Sequence, residues 1–262
     1  MLEINKIYNI DCLEGMKQID DKTIDLICVD LPYQVTHNSW DIIIPFEPMW
    51  EQFERIIKDT GNIILFGQDK FTAKLMLSNE KLHRYNLIWD KELTTGFLNA
   101  TKQPLRSHED ICVFYKNQGT YNPQMVVGKK SHSVGKAAGT MTSDSFNNAN
   151  YGDFKIRNTE GNLKYPKSIW TFQKPHPSVA IHPTQKPLDL CKYIIRTYSN
   201  KGDLVLDCCC GSGTIPMAAK IENRNYIGMD NGYCEKPNTE YDGKSWAEIS
   251  TMRLKNVGKK LF

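Results

Sequence analysis

Asp30-Leu31-Pro32-Tyr33 is a short run of unlike groups with a common use. An acid, a backbone carbonyl, a rigid Pro and an aromatic ring follow one another directly. Asp30 can accept one N–H of an amino group, the Leu31 carbonyl can accept the other, and Tyr33 can stack on a ring face. The set suits a planar base carrying an exocyclic amino group. An acid at a strand end followed by a turn proline is also a common structural arrangement, so the four residues alone do not decide the matter.

A second constellation lies far downstream. Leu204-Val-Leu-Asp207 reads as a strand, and Cys208-Cys209-Cys210-Gly211-Ser212-Gly213-Thr214 as a glycine turn and helix start. Tyr226-Ile-Gly-Met-Asp230 reads as the next strand, ending in an acid. Gly211 and Gly213 let backbone approach a ligand closely, and a helix start offers unpaired N–H groups. Asp230 is placed to take two ribose hydroxyls. A dinucleotide is the rival ligand, but its glycine pattern needs a third Gly where Pro216 stands. Asp207, directly before the turn, suits a cationic ligand group better than a pyrophosphate. S-adenosylmethionine, with an ammonium, a sulfonium and no phosphate, fits these residues best.

The elements that must carry these groups alternate. Strands are expected at Ile24–Val29, Asn62–Phe66, Tyr85–Trp89, Ile111–Tyr115, Asp203–Asp207 and Asn225–Asp230. Helices are expected at Pro48–Lys58, Lys70–Ser78, Pro187–Tyr198, Thr214–Ile221 and Ser245–Asn256. Strand–helix alternation is the pattern of a parallel α/β sheet, whose ligands sit at the carboxyl ends of the strands. Between residues 117 and 177 the periodicity stops and Gly, Ser, Asn, Thr and Lys dominate. Tyr121, Phe154, Tyr165, Trp170 and Phe172 remain there, so the stretch reads as an inserted small module whose aromatics form its own core. The expected organisation is residues 1–116 as a catalytic half, 117–177 as the insertion, and 178–262 as a cofactor-binding half.

Net charge is +3 over 262 residues, but Lys116 to His176 holds nine Lys/Arg against three Asp/Glu. A basic segment on a near-neutral body points to a polyanion partner, although a solvated loop of chance charge has the same composition. Lys129, Lys130, Lys136, Lys155, Arg157, Lys164 and Lys167 are the candidate contacts to phosphate or base edges. The eight cysteines include no Cys-x-x-Cys pair, and three of them are adjacent. That placement suits buried free thiols in a reducing compartment, with neither disulfides nor a metal site. No apolar run approaches the ~20 residues of a membrane span, and Met1–Ile10 lacks the features of a signal peptide. A cytoplasmic protein is expected.

Taken in order, these segments resemble the amino-group DNA methyltransferases of the β class. The order is Asp30 to Tyr33, Trp89-Asp-Lys91, Ser107-His108-Glu109, the basic insertion, His182-Pro-Thr-Gln-Lys186-Pro187, Asp207 to Thr214, and Tyr226 to Asp230. The resemblance implies a Rossmann-like three-layer α/β/α sandwich with circularly permuted motif order, and an inserted target-recognition module. It implies methyl transfer from S-adenosylmethionine to adenine N6 in flipped-out duplex DNA. Cytosine N4 is the alternative target, and a DNA-binding regulator with impaired catalysis the second alternative. Asp30, Leu31, Pro32 and Tyr33 would be catalytic. Asp11, Cys12, Asp30, Lys186, Pro187, Asp207, Cys209, Gly211, Ser212, Gly213, Thr214 and Asp230 would bind the cofactor. Leu31 replaces the family's first Pro, and Cys208-Cys209 replace its Pro-Phe, which thins the wall that packs on the cofactor. A homodimer and a cognate restriction endonuclease are arrangements that the family often shows.

Overall fold

The structure is a computed structural model and describes residues 2–34, 41–128, 140–141, 145–148, 152–155, 162–176, 178, 180–182, 184–237 and 239–257. The chain forms two compact units, residues 1–122 with 168–262, and residues 123–167. Residues 117–122 and 168–177, assigned from sequence to the insertion, thus belong with the first unit.

In chain order the first unit begins with β1 (Lys6–Tyr8), α1 (Cys12–Met16), β2 (Ile24–Val29), α2 (Phe46–Ile56), β3 (Ile57–Gly67), α3 (Asp69–Ser78), β4 (His83–Thr95) and β5 (Arg106–Phe114). The second unit holds β6 (Val126–Val127), β7 (Thr140–Met141), β8 (Ser145–Asn148), β9 (Gly152–Lys155) and β10 (Leu163–Lys164). The first unit resumes with β11 (Ile169–Thr171), α4 (Leu188–Tyr198), β12 (Leu204–Asp207), α5 (Thr214–Ile221), β13 (Asn225–Met229) and α6 (Trp246–Asn256).

Eight strands form one sheet in the order β1-β13-β12-β2-β3-β5-β4-β11. Side chains alternate across β2. Ile27 and Val29 join Met49, Trp50 and Phe53 of α2 and Leu75 of α3 on one face. Leu26 and Cys28 join Leu190 and Ile194 of α4 and Ala218 of α5 on the other. Period-two side chains between two helical layers make the three-layer sandwich. The helices form because their apolar residues recur at helical spacing, as Leu190, Cys191, Ile194, Ile195 and Tyr198 do in α4. Capping sets the start of α6, where Ser245 and Glu248 make a reciprocal capping box.

Three expectations need correction. The sheet is not wholly parallel: β5 runs antiparallel to both β3 and β4. Residues 96–105 between β4 and β5 are too few for a crossover helix, so these strands pair as a hairpin. Second, α2 ends at Ile56 rather than Lys58, because the β-branched Ile57 is already extended and opens β3. Third, Trp170 packs in the main sheet rather than in the small module. It lies opposite Trp89 in the β11–β4 pairing and its ring meets Tyr193 of α4 at 4.8 Å.

In the second unit, β7, β8 and β9 form an antiparallel sheet, and β6 pairs antiparallel with β10.

Candidate active site

Strands β2 and β12 are neighbours at the middle of the sheet, and both run in the same direction. From β2 the chain proceeds outward to β3, and from β12 it proceeds the opposite way to β13. The strand order therefore reverses between them and leaves a crevice at their carboxyl ends. Asp30 leaves β2 into this crevice and Asp207 ends β12 beside it. The crevice is a cleft of about 730 Å³.

Asp30, Leu31, Pro32 and Tyr33 line the cleft together with Asp11, Cys12, Lys186, Asp207, Cys209, Gly211, Ser212, Thr214 and Asp230. Residues more than 170 positions apart thus share one cavity. Pro187 and Gly213 do not line it. Pro187 caps the start of α4. Gly213 takes a left-handed φ of 76° before α5, where a Cβ would fall 2.7 Å from the Ser250 hydroxyl.

The glycine turn and the acid of β13 support each other. Asp230 accepts the Gly211 N–H at 2.7 Å and the Gly232 N–H at 2.9 Å, one on each carboxylate oxygen. The carboxylate is thereby held facing the cleft with a lone pair left on each oxygen. Burial raises the pKa of Asp230. Asp207 is almost wholly enclosed, accepts the Cys209 N–H at 3.3 Å, and is pushed well above the carboxylate range by burial. Asp11 caps α1 by accepting the Leu13 and Glu14 N–H groups at 2.9 and 3.2 Å. The Thr214 hydroxyl is buried at the start of α5 and has no hydrogen-bond partner among the described residues.

At the other end of the cleft stands a cluster of charge. Lys186 Nζ lies 2.5 Å from Asp30 Oδ2 and 3.3 Å from Glu109 Oε2. Glu109 Oε1 accepts from Lys91 Nζ at 3.2 Å. The Tyr33 hydroxyl donates to Asp30 Oδ1 at 2.7 Å, and the Tyr33 ring stacks on Phe71 with centroids 4.7 Å apart. Three rings surround the Lys186 ammonium, those of Tyr33, Phe66 and Trp89, at 5.8, 5.0 and 5.9 Å. Burial raises the pKa of Asp30, with Lys186 acting against it. Burial would lower that of Lys186, yet Asp30 and Glu109 more than reverse this and keep the ammonium charged.

Glu109 and Lys91 belong to motifs that mark the family resemblance, but neither was assigned to the site from sequence. The available signal was an acid and a base at the cleft ends of two hydrogen-bonded strands. His108, its neighbour, faces a separate groove with Lys70, Lys74 and Arg106. His182 lines the cleft against Trp246, and its pKa is lowered to about 4 by burial. Asp41 is buried and accepts the Gln34 N–H at 2.8 Å. Its neighbour Trp40 lies outside the described residues.

All eight cysteines are free, six of them buried. Cys12 and Cys209 are partly exposed on the cleft wall, where their thiols hydrogen-bond. Of the basic residues of the insertion, Lys164 and Lys167 are described, Lys155 only through its backbone in β9, and Lys129, Lys130, Lys136 and Arg157 lie outside the described residues.

The family model for DNA methylases that modify amino groups (N6 or N4) matches residues 24–237. The chain belongs to this family, as its ordered motifs implied. It is 26% identical over 256 residues to the type II methyltransferase M1.MboII of Moraxella bovis, covering 88% of this chain and 93% of that one. It is 26% identical over 245 residues to the DNA adenine methyltransferase YhdJ of Escherichia coli, covering 87% and 79%. Among solved structures, that of M1.HpyAVI with SAM superposes with a TM-score of 0.61 at 20% identity, covering 95% of this chain and 98% of that one. The cytosine-N4-specific PvuII DNA methyltransferase superposes with a TM-score of 0.60 at 14% identity, covering 97% and 96%. These likenesses carry the same fold as the sandwich described above.

Proposed function

We propose that the protein methylates the N6 amino group of adenine in duplex DNA, using S-adenosylmethionine as donor. The observation that carries this reading is the placement of Asp30 and Tyr33 in one cleft with the Gly211 turn and Asp230. The cofactor end fits the donor. Asp11, Asp207 and Asp230 offer carboxyl groups to a ligand that is cationic, and the Thr214 hydroxyl, without a partner among the described residues, offers a polar contact. Asp230 would take the ribose hydroxyls. S-adenosylmethionine supplies an electrophilic methyl group on a sulfonium centre.

The residues of this chain supply grip and orientation. The amino group of a base is conjugated with the ring and a poor nucleophile. Hydrogen bonds from it to Asp30 and the Leu31 carbonyl favour a tetrahedral nitrogen and free its lone pair. Asp30 must be ionised to accept, and Lys186 at 2.5 Å favours that form against the cost of burial. A target atom inside the stack is out of reach, so the base flips into the cleft, and the Tyr33 ring replaces part of its lost stacking. The basic residues of the insertion would hold the phosphates, sequence-independently where they touch backbone alone.

The same pocket chemistry accommodates cytosine N4, and the likeness to a cytosine-N4-specific enzyme gives that reading its own support. One experiment separates them. DNA from cells expressing the protein is hydrolysed and its nucleosides are analysed by mass. N6-methyladenine is the expected product, and N4-methylcytosine in its place overturns the choice of base. Cofactor binding with no methyl transfer to any DNA would instead identify a binding protein. The Asp30→Ala variant should retain cofactor binding and lose transfer. Turnover at the normal rate would refute the role given to Asp30.

A further inference from the structure

The charge cluster contains more than the transfer reaction requires. Asp30, Lys186, Glu109 and Lys91 all line the cleft and come from four segments: the loop after β2, the segment before α4, β5 and β4. Two carboxylates face two ammoniums, so the cluster is neutral when all four are charged. The side chains of Lys91 and Lys186 are only 2% and 7% exposed. A buried charge persists only where its partners compensate for lost hydration, and removing one partner leaves the other uncompensated.

We propose that Glu109 is a positioning residue for the transfer reaction: it shares the Lys186 ammonium with Asp30, and with Lys91 it fixes how firmly that ammonium is held on the carboxylate that grips the target amino group. The proposal rests on the reading of Asp30 given above.

Lys186 has two acidic neighbours on different strands, at 2.5 and 3.3 Å. Were Glu109 neutral, the ammonium would belong to Asp30 alone and compete with the incoming amino group for Oδ2. Were Lys91 neutral, Glu109 would draw Lys186 away, and the buried Asp30 would take up a proton. A protonated carboxyl presents a donor where an acceptor is needed. Glu109 and Lys91 therefore act on Asp30 in opposite senses, through Lys186. Other ionisable groups facing Asp30 are Tyr33 on its own loop, Asp207 on β12, Cys28 on β2 and Cys191 on α4. Lys174 faces Lys91. None of them bridges Lys186 as Glu109 does.

The test uses Glu109→Gln, Lys91→Met and the double variant in the full chain. The acid limb of the single-turnover methyl-transfer rate should move down in pH by about one unit for Glu109→Gln and up by a similar amount for Lys91→Met. The Glu109→Gln plateau rate should fall about tenfold or more, with cofactor Kd within about twofold of normal. The double variant should keep the plateau rate and the acid limb of Glu109→Gln alone, because Lys91 reaches Lys186 only through Glu109, a masking that independent sites would not show. Limbs that move in the same direction or not at all, or losses that simply add, overturn the proposal. Should Lys91→Met fail to fold by circular dichroism, Lys91→Gln takes its place. A second readout needs neither cofactor nor DNA: infrared spectra of protein labelled with 13C-aspartate, with the Asp30 band assigned by difference against Asp30→Asn. The carboxyl band should titrate lower in Glu109→Gln and higher in Lys91→Met. If these titrations shift as expected while the wild type methylates no DNA, the functional reading fails and the cluster stands. Unshifted titrations in a working enzyme reject the cluster alone.

Discussion

The Tyr33 hydroxyl donates to Asp30 Oδ1 across 2.7 Å, so the ring that would stack on the base also orients the acid that would grip it. The two roles separate by substitution. Tyr33→Phe keeps the ring and removes one charge-assisted hydrogen bond, worth about 1.5–3 kcal/mol where the acceptor is ionised. Its transfer rate should fall about tenfold or more, with DNA affinity little changed. Tyr33→Ala also loses the stacking surface and should lower the rate further. A 2-aminopurine probe at the target position should then report less base extrusion. Equal rates for the two variants would mean that the ring contributes nothing.

Much of this pairing was legible in the chain. Asp30 and Asp207 each follow a short apolar run, which places both at strand ends, and the crevice rule brings strand ends together. The reversal of strand direction at β5 was less visible. A buried strand reads as a continuous apolar run whichever way it points, and only the short link from β4 carries the information. Glu109 was hidden for another reason. Its neighbours Arg106 to Asp110 are all polar, so no alternation marks which side chain turns inward. Trp170 was misplaced because the segment before it is polar, and a three-residue strand is too short to show a pattern of its own.

His182 should make stability depend on pH. Its folded pKa is lowered to about 4 by burial, against 6.5 for a free imidazole. The unfolded chain then binds the extra proton first, so the stabilising effect is full above pH 6.5 and is lost as pH falls toward 4. At about 1.4 kcal/mol per unit, the loss across this window is at most about 3 kcal/mol. His182→Gln should flatten the fall in Tm between pH 6.5 and 4. A slope identical to that of the wild type would show that the imidazole is not the group responsible.

Cys12 and Cys209 stand on the cleft wall and yet should alkylate slowly. Their mutual contact first, and burial second, hold the Cys12 thiol far above its ordinary range. For Cys209 the contact with Cys12 acts downward, but Cys208 and burial outweigh it. Thiolate is the reactive form, so N-ethylmaleimide at pH 7 should modify both far more slowly than a free cysteine. Peptide mapping by mass spectrometry checks this. S-adenosylmethionine should slow the modification of these two further. Rapid labelling of Cys12 would contradict the buried thiol pair.

Ser245 offers a test of local stability away from the chemistry. Its hydroxyl accepts the Glu248 N–H at 3.2 Å, and its own N–H donates to Glu248 Oε2 at 2.9 Å. Ser245→Ala breaks the first bond and leaves the second. The expected cost is about 1 kcal/mol, read as a Tm lower by roughly 2–4 °C in a chain of this size. Because α6 also carries Ser250, whose hydroxyl donates to the Gly211 carbonyl at 2.6 Å, cofactor affinity should weaken only if α6 shifts as a whole.

Lys164 and Lys167 carry the clearest test of the nucleic-acid reading. A lysine that touches phosphate releases about one counter-ion, so each loss should weaken DNA binding similarly on every sequence and lower the slope of log affinity against log salt by about one. A lysine that reads a base edge would instead relax the preference at one position and leave the slope near its original value. Lys164→Gln and Lys167→Gln, measured by fluorescence anisotropy on target and random duplexes between 50 and 200 mM salt, distinguish these outcomes. If both variants bind as the wild type does across that range, the positive charge of this segment belongs to solvent, and DNA must be held by other residues.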